Sequence, residues 1–87
     1  MSAADGALRV SVISPEATLF EGAASSVTAP AFDGEVGILP SHAAMVTTLG
    51  AGVLRIGDGA ASFRVEGGFL QVVDNVVRVV TERASRL

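Results

Sequence analysis

Apolar and polar residues alternate along most of this chain. In Leu8–Ile13, Leu8, Val10 and Val12 fall on one side, with Arg9 and Ser11 opposite. A period of two sends successive side chains to opposite faces, so the segment reads as a half-buried strand. Ser14-Pro15-Glu16 interrupts it, because Pro15 has no N–H to give a ladder. Thr18–Gly22 predicts a second strand and Ala24–Ala29 a third, closed by Pro30. Asp33-Gly34 is a turn signal, Glu35–Leu39 a short strand and Pro40 its end. Ser41–Leu49 carries two signals. It opens like a capped helical turn, whereas Val46-Thr47-Thr48 favours a strand.

The second half is cleaner. Val53–Ile56 predicts a strand turned by Gly57-Asp58-Gly59. In Ala60–Glu66, Ala61, Phe63 and Val65 point one way and Ser62, Arg64 and Glu66 the other. Gly67-Gly68 marks a bulge or corner. Phe69–Val73 and Val76–Thr81 predict a hairpin joined by Asp74-Asn75. Thr81–Leu87 has room for one helical turn at most, with 82–87 expected as a short tail and 1–6 as a frayed start. Turn signals recur every several residues and no helical period is visible. The expectation is one all-β domain over 1–87, a small flattened β-sandwich or barrel of about ten short strands.

One hairpin breaks the pattern of a sheet with a single dry face. Phe69 and Val73 flank Gln71 on one side, while Leu70 and Val72 line the other. Val76 and Val80 likewise flank Arg78, opposite Val77 and Val79. Either a sheet edge folds over itself here, or one of these faces meets another protein.

Composition narrows the choice of function. Apolar residues make up 49% and charged residues 17%, too apolar for charge-driven disorder and low in charge for a free-standing surface. The absence of Cys excludes disulfides, thiolate metal sites and thiol redox chemistry. The net charge is −3, so the basic footprint of nucleic-acid binding is missing. No apolar run reaches the roughly 18 residues of a membrane helix. The first six residues lack the basic start and apolar core of a secretory signal.

The most particular stretch is Phe32–His42, with two glycines, a proline, two acids and the only histidine. His42 beside Ser41 and Asp33 invites a hydrolase reading. A triad needs convergence in space, however, and no Gly-x-Ser-x-Gly elbow is present. A phosphate loop of the Gly-Lys type, or a carrier domain built on a modifiable lysine, cannot be made without Lys. A small ligand-binding β-sandwich module, for example a carbohydrate binder, remains the alternative class. Such modules present exposed aromatics, but the chain has no Trp or Tyr and its four Phe lie in or beside strand patterns. Glu35, among apolar neighbours after a turn, is either a solvated strand residue or a specific polar contact.

Four segments in order carry a resemblance. They are Ser14-Pro15-Glu16 with Leu19-Phe20, the run Asp33–Ala43, Gly52–Ile56 and Gly67–Val72. Together the chain resembles the amino-terminal domain of the epsilon subunit of the rotary F-type ATP synthase, called delta in mitochondria. The resemblance implies a ten-stranded sandwich in the central rotor stalk, non-catalytic and without a cofactor or metal. It implies packing on the gamma subunit and contact with the polar loops of the membrane c-ring, coupling ion flow to ATP synthesis. Glu35 falls where the family faces the c-ring, and Ser14 and His42 where it approaches gamma. The implied location is peripheral, on the cytoplasmic face of the bacterial inner membrane, with membrane contact only through the complex.

Two departures qualify the match. The family usually has Gly at the place of Ser41 and Pro at that of Ala44. Ser41 fits without strain only if its φ is negative. Many bacterial members also continue into a two-helix inhibitory arm. Leu87 stops where that arm would begin, so the expectation is a chain without the carboxy-terminal helical hairpin.

Overall fold

The computed structural model describes residues 7–57 and 61–87. Residues 1–6, expected to fray, Asp58 and Gly59 of the expected glycine turn, and Ala60, the expected start of the next strand, lie outside the described residues. The described chain is all-β, with strands β1 (Leu8–Ile13), β2 (Thr18–Ala24), β3 (Val27–Ala31), β4 (Gly34–Ile38) and β5 (Met45–Thr48). They are followed by β6 (Ala51–Ile56), β7 (Ala61–Glu66), β8 (Phe69–Val73), β9 (Val76–Val80) and β10 (Arg83–Arg86).

These strands make two five-stranded sheets. The first runs β2-β1-β9-β8-β5 and the second β10-β7-β6-β3-β4. Every ladder is antiparallel except β1–β9, where the first and ninth strands run side by side. The sandwich form of the sequence expectation is the one observed. Its core is set by alternation: Leu8, Val10, Val12, Leu70, Val72, Val77 and Val79 point inward from the first sheet. Val27, Ile38, Leu54, Ile56, Phe63 and Val65 meet them from the second. Each such burial contributes about 1.5–3 kcal/mol before the entropy of ordering is subtracted.

Turn chemistry fixes the register. Asp74 and Asn75, the two loop residues between β8 and β9, have φ of 50° and 65°. Two left-handed residues in a two-residue loop make the turn whose twist matches a hairpin. At the opposite end, Gly67 and Gly68 turn the chain from the second sheet into the first. The Leu49 amide donates to the Gly68 carbonyl there, at 2.9 Å. The β5–β6 and β7–β8 crossings are thus laced at one corner.

Several boundaries differ from the sequence expectation. Residues 83–86 are a strand, not a tail or helical turn, because β10 pairs along the free edge of β7. Pro30 lies inside β3 instead of closing it. Its carbonyl accepts from the Gly50 amide at 2.8 Å. A strand residue's N and O point to the same side, and the β3–β6 ladder covers only Val27 and Thr28. The missing N–H therefore costs no ladder bond. Ala24 belongs to β2 instead of β3, and Leu39 lies beyond the end of β4. Of the two signals in Ser41–Leu49, the strand prevails at Met45–Thr48.

Candidate functional site

Glu35 projects from β4, the outermost strand of the second sheet. It is exposed, and Arg55 Nη2 donates to its Oε2 at 3.4 Å. Arg55 stands on β6, across β3 from Glu35. The pair thus spans three strands on the outer surface. Both side chains are more than half exposed (51% for Arg55, 57% for Glu35), so the contact is a solvated surface ion pair.

Ser14 opens the β1–β2 turn. Its amide donates to the Ala17 carbonyl at 2.8 Å, and its Oγ reaches the same oxygen at 3.3 Å. His42 follows the turn after Pro40. Its amide donates to the Leu39 carbonyl at 3.2 Å, and its Nδ1 donates to the Ala43 carbonyl at 2.7 Å. Ser41 has a φ of 71°, so the strained alternative applies at that position. Its amide is held by Asn75 Oδ1 at 2.6 Å.

The fold keeps Ser14 and His42 apart. Ser14 follows Ile13, which pairs with Val80 at one end of β9. His42 shares a shallow cleft with Asp74 and Asn75, at the other end of β9. Five strand residues lie between those ends, about 16 Å. The serine and the histidine therefore form no nucleophile–base pair. Among the described residues no three of His, Cys, Asp and Glu stand close enough to hold a metal ion.

What lies between Ser14 and His42 is the outer face of the first sheet. Its middle row, by register, is Val46–Gln71–Arg78–Ser11–Glu21. To one side of that row lie Phe69, Val80 and Ile13, and to the other Val73, Val76 and the exposed Arg9 at its margin. Phe69 and Val73 are each 40% exposed, Val76 48% and Val46 67%. A row of large apolar groups left in water on a small domain marks a contact surface. The unusual hairpin in the sequence is the source of this face, since its second apolar side has no core to fill.

Sequence reasoning missed the role of Arg55, and noticed Arg78 only as the residue that Val76 and Val80 flank. Both sit at ordinary exposed positions of alternating strands. Only the strand order puts Arg55 beside Glu35 and Arg78 in mid-face. The outer surface of the second sheet is different in kind, with Arg64, Glu66 and Arg83 exposed on it.

Geometry thus defines a small two-sheet β-sandwich with an apolar outer face and an ion pair on its far side. The chain belongs to the family described as the ATP synthase delta/epsilon chain β-sandwich domain, whose profile matches residues 7–87. It is 48% identical over 80 residues to the ATP synthase epsilon chain of Leptospira borgpetersenii serovar Hardjo-bovis, covering 90% of this chain and 63% of that one. The epsilon chain of Pelotomaculum thermopropionicum is 37% identical over 84 residues, covering 94% and 63%. The chain spans about 63% of the length of these relatives.

Solved structures show the same fold. A chain of the Euglena gracilis mitochondrial ATP synthase OSCP/F1/c-ring assembly superposes with a TM-score of 0.85 at 23% identity, over 93% of this chain and 54% of that one. A chain of the Tetrahymena thermophila central stalk/c-ring assembly gives 0.76 at 19% identity, over 90% and 65%.

Proposed function

We propose that this chain is the epsilon-type subunit of a bacterial F-type ATP synthase central stalk. It links gamma to the c-ring and couples ion translocation to ATP synthesis, as a non-catalytic part of the complex on the cytoplasmic face of the membrane. The observation that carries the reading is the apolar outer face of the first sheet, bracketed by Ser14 at one end and His42 at the other. Both residues are assigned to the gamma contact, with Phe69, Val73 and Val76 as the surface between them. Glu35, on the edge strand of the other sheet, is assigned to the polar loops of the ring. The names of the bacterial relatives support this, as do the assemblies in which chains of the same fold stand.

The mechanical demand suits the architecture. A torque-bearing link must not shear, and a sandwich closed by buried Leu, Val, Ile and Phe resists shear because its interior is close-packed. Separate surfaces for two partners let one body join them without either contact displacing the other.

The test is reconstitution. Bacterial synthase depleted of its epsilon chain should regain ion-coupled ATP synthesis when this chain is added, and the chain should co-purify with gamma and the ring. If neither happens, the reading is wrong.

A further inference from the structure

We infer that Arg78 is the specificity-determining residue of the apolar face, and that the surface seated there brings a carboxylate to it. The inference rests on the reading that this face meets gamma, and deepens it by naming what gamma must offer.

Arg78 occupies the centre of the face. β9 is the third of the five strands in its sheet, and Arg78 is the third of its five residues. Val76 and Val80 flank it along the strand, and uncharged Gln71 and Ser11 flank it across the ladders; Arg9, diagonal to it beside Val76, is a second cation and supplies no counter-charge. The nearest acid in its row is Glu21, two strands away and so about 10 Å distant. Among the described residues Arg78 takes part in no ion pair.

In water this guanidinium is satisfied. Under a docked protein it loses that water, together with the four apolar groups around it. A guanidinium has five N–H donors, and Gln71 supplies one amide oxygen at most. A buried charge without a counter-charge works strongly against binding. A carboxylate resolves this best, because it accepts two parallel N–H bonds from the guanidinium fork. An arginine at the middle of an apolar contact, screened from solvent by its neighbours, is also the usual form of a binding hot spot. A partner with an apolar patch but no acid at its centre is rejected by the same argument. Arg78 thus chooses among greasy surfaces.

The test is a titration of the chain onto a catalytic head that carries gamma but lacks both its epsilon chain and the ring. Three variants are compared: Arg78→Leu, Arg78→Glu and, to probe the face itself, Val76→Asp. Both positions are exposed, and circular dichroism checks that each variant is folded. Val76→Asp should abolish binding. Arg78→Leu should weaken it roughly 30-fold or more, although it makes the face more apolar, because it strands the partner's carboxylate. Arg78→Glu should bind more weakly still and be rescued by an acid-to-Arg substitution on gamma.

If Val76→Asp binds normally, the face is not the gamma contact and both readings fall. If Val76→Asp abolishes binding while Arg78→Leu binds as well as or better than the parent, the docking reading stands and the role of Arg78 is overturned. If no acid-to-Arg change on gamma rescues Arg78→Glu, the carboxylate is overturned.

Discussion

Ser41 and Asn75 hold one another in place across 34 positions of sequence. The Ser41 amide donates to Asn75 Oδ1 at 2.6 Å, and both residues are left-handed, with φ of 71° and 65°. A non-glycine residue in that region costs about 1–2 kcal/mol. The bond offsets part of this at Ser41. It involves only the backbone of Ser41, so glycine could make it equally well. Ser41→Gly should therefore relieve the strain and keep the contact. Against this stands the greater freedom of glycine in the unfolded chain, about 0.5–1 kcal/mol. The expected net effect is a gain of ~0.5 kcal/mol, read as a higher urea midpoint with an unchanged slope.

Asn75 carries both halves of the arrangement. Its side chain anchors the loop that ends in His42, and its backbone completes the β8–β9 turn. Asn75→Ala puts a poor left-handed residue in the turn and leaves the exposed Ser41 amide to water, so it should cost about 1–2 kcal/mol. Asn75→Gly restores the turn and loses only the anchor, so it should cost about half as much. Hydrogen exchange at the Ser41 amide separates the two effects. It should accelerate in both variants, whereas the β8–β9 ladder should loosen only with alanine.

Gly68 lies beneath the next crossing of the chain. Its φ is 101°, and a Cβ there would fall inside the van der Waals shell of the Val80 carbonyl oxygen. The obstacle is backbone and cannot rotate away. Gly52 meets a milder version, with a Cβ only 2.8 Å from that of Pro30. Gly68→Ala should destabilise by about 3 kcal/mol or more, a large share of a small domain's stability. Gly52→Ala should cost less, since Gly52 has no left-handed φ and its contact is longer, although Pro30 Cβ can yield only if its strand shifts. Urea unfolding of both variants checks the order.

The strands whose buried face is read by period two were legible in the sequence: β1, β7 and the β8–β9 hairpin. What could not be read locally is what depends on neighbours. β10 contains Arg83, Ser85 and Arg86 around a single half-buried Ala84. Nothing in that composition asks for a strand, and the free edge of β7 supplies the reason. Pro30 reads as a stop unless one knows that its ladder to β6 has already ended. Glu35 was recognisable as unusual, whereas Arg55 is its partner only because β3 brings β4 and β6 to either side of itself. Ser14 and His42 were identified through resemblance. Their separation by the length of β9, with the apolar face between them, is a property of the parallel β1–β9 pairing.

That separation sharpens what should happen at Glu35. Its contact with Arg55 is a single bond of 3.4 Å between half-exposed groups, worth at most about 0.5 kcal/mol. Glu35→Ala removes it without touching a buried atom, and Arg55→Ala does the same from the other side. Both variants should therefore unfold within ~0.5 kcal/mol of the parent. Attachment is a different matter if Glu35 faces the ring, since the loss then falls on an intermolecular contact. Co-sedimentation with ring-bearing, epsilon-depleted synthase should fall for Glu35→Ala, while binding to a head without the ring stays unchanged. A uniform fall in both would move Glu35 to the gamma side. An unfolding midpoint that collapsed with the charge would mean that the edge of the second sheet depends on this pair, contrary to its exposure.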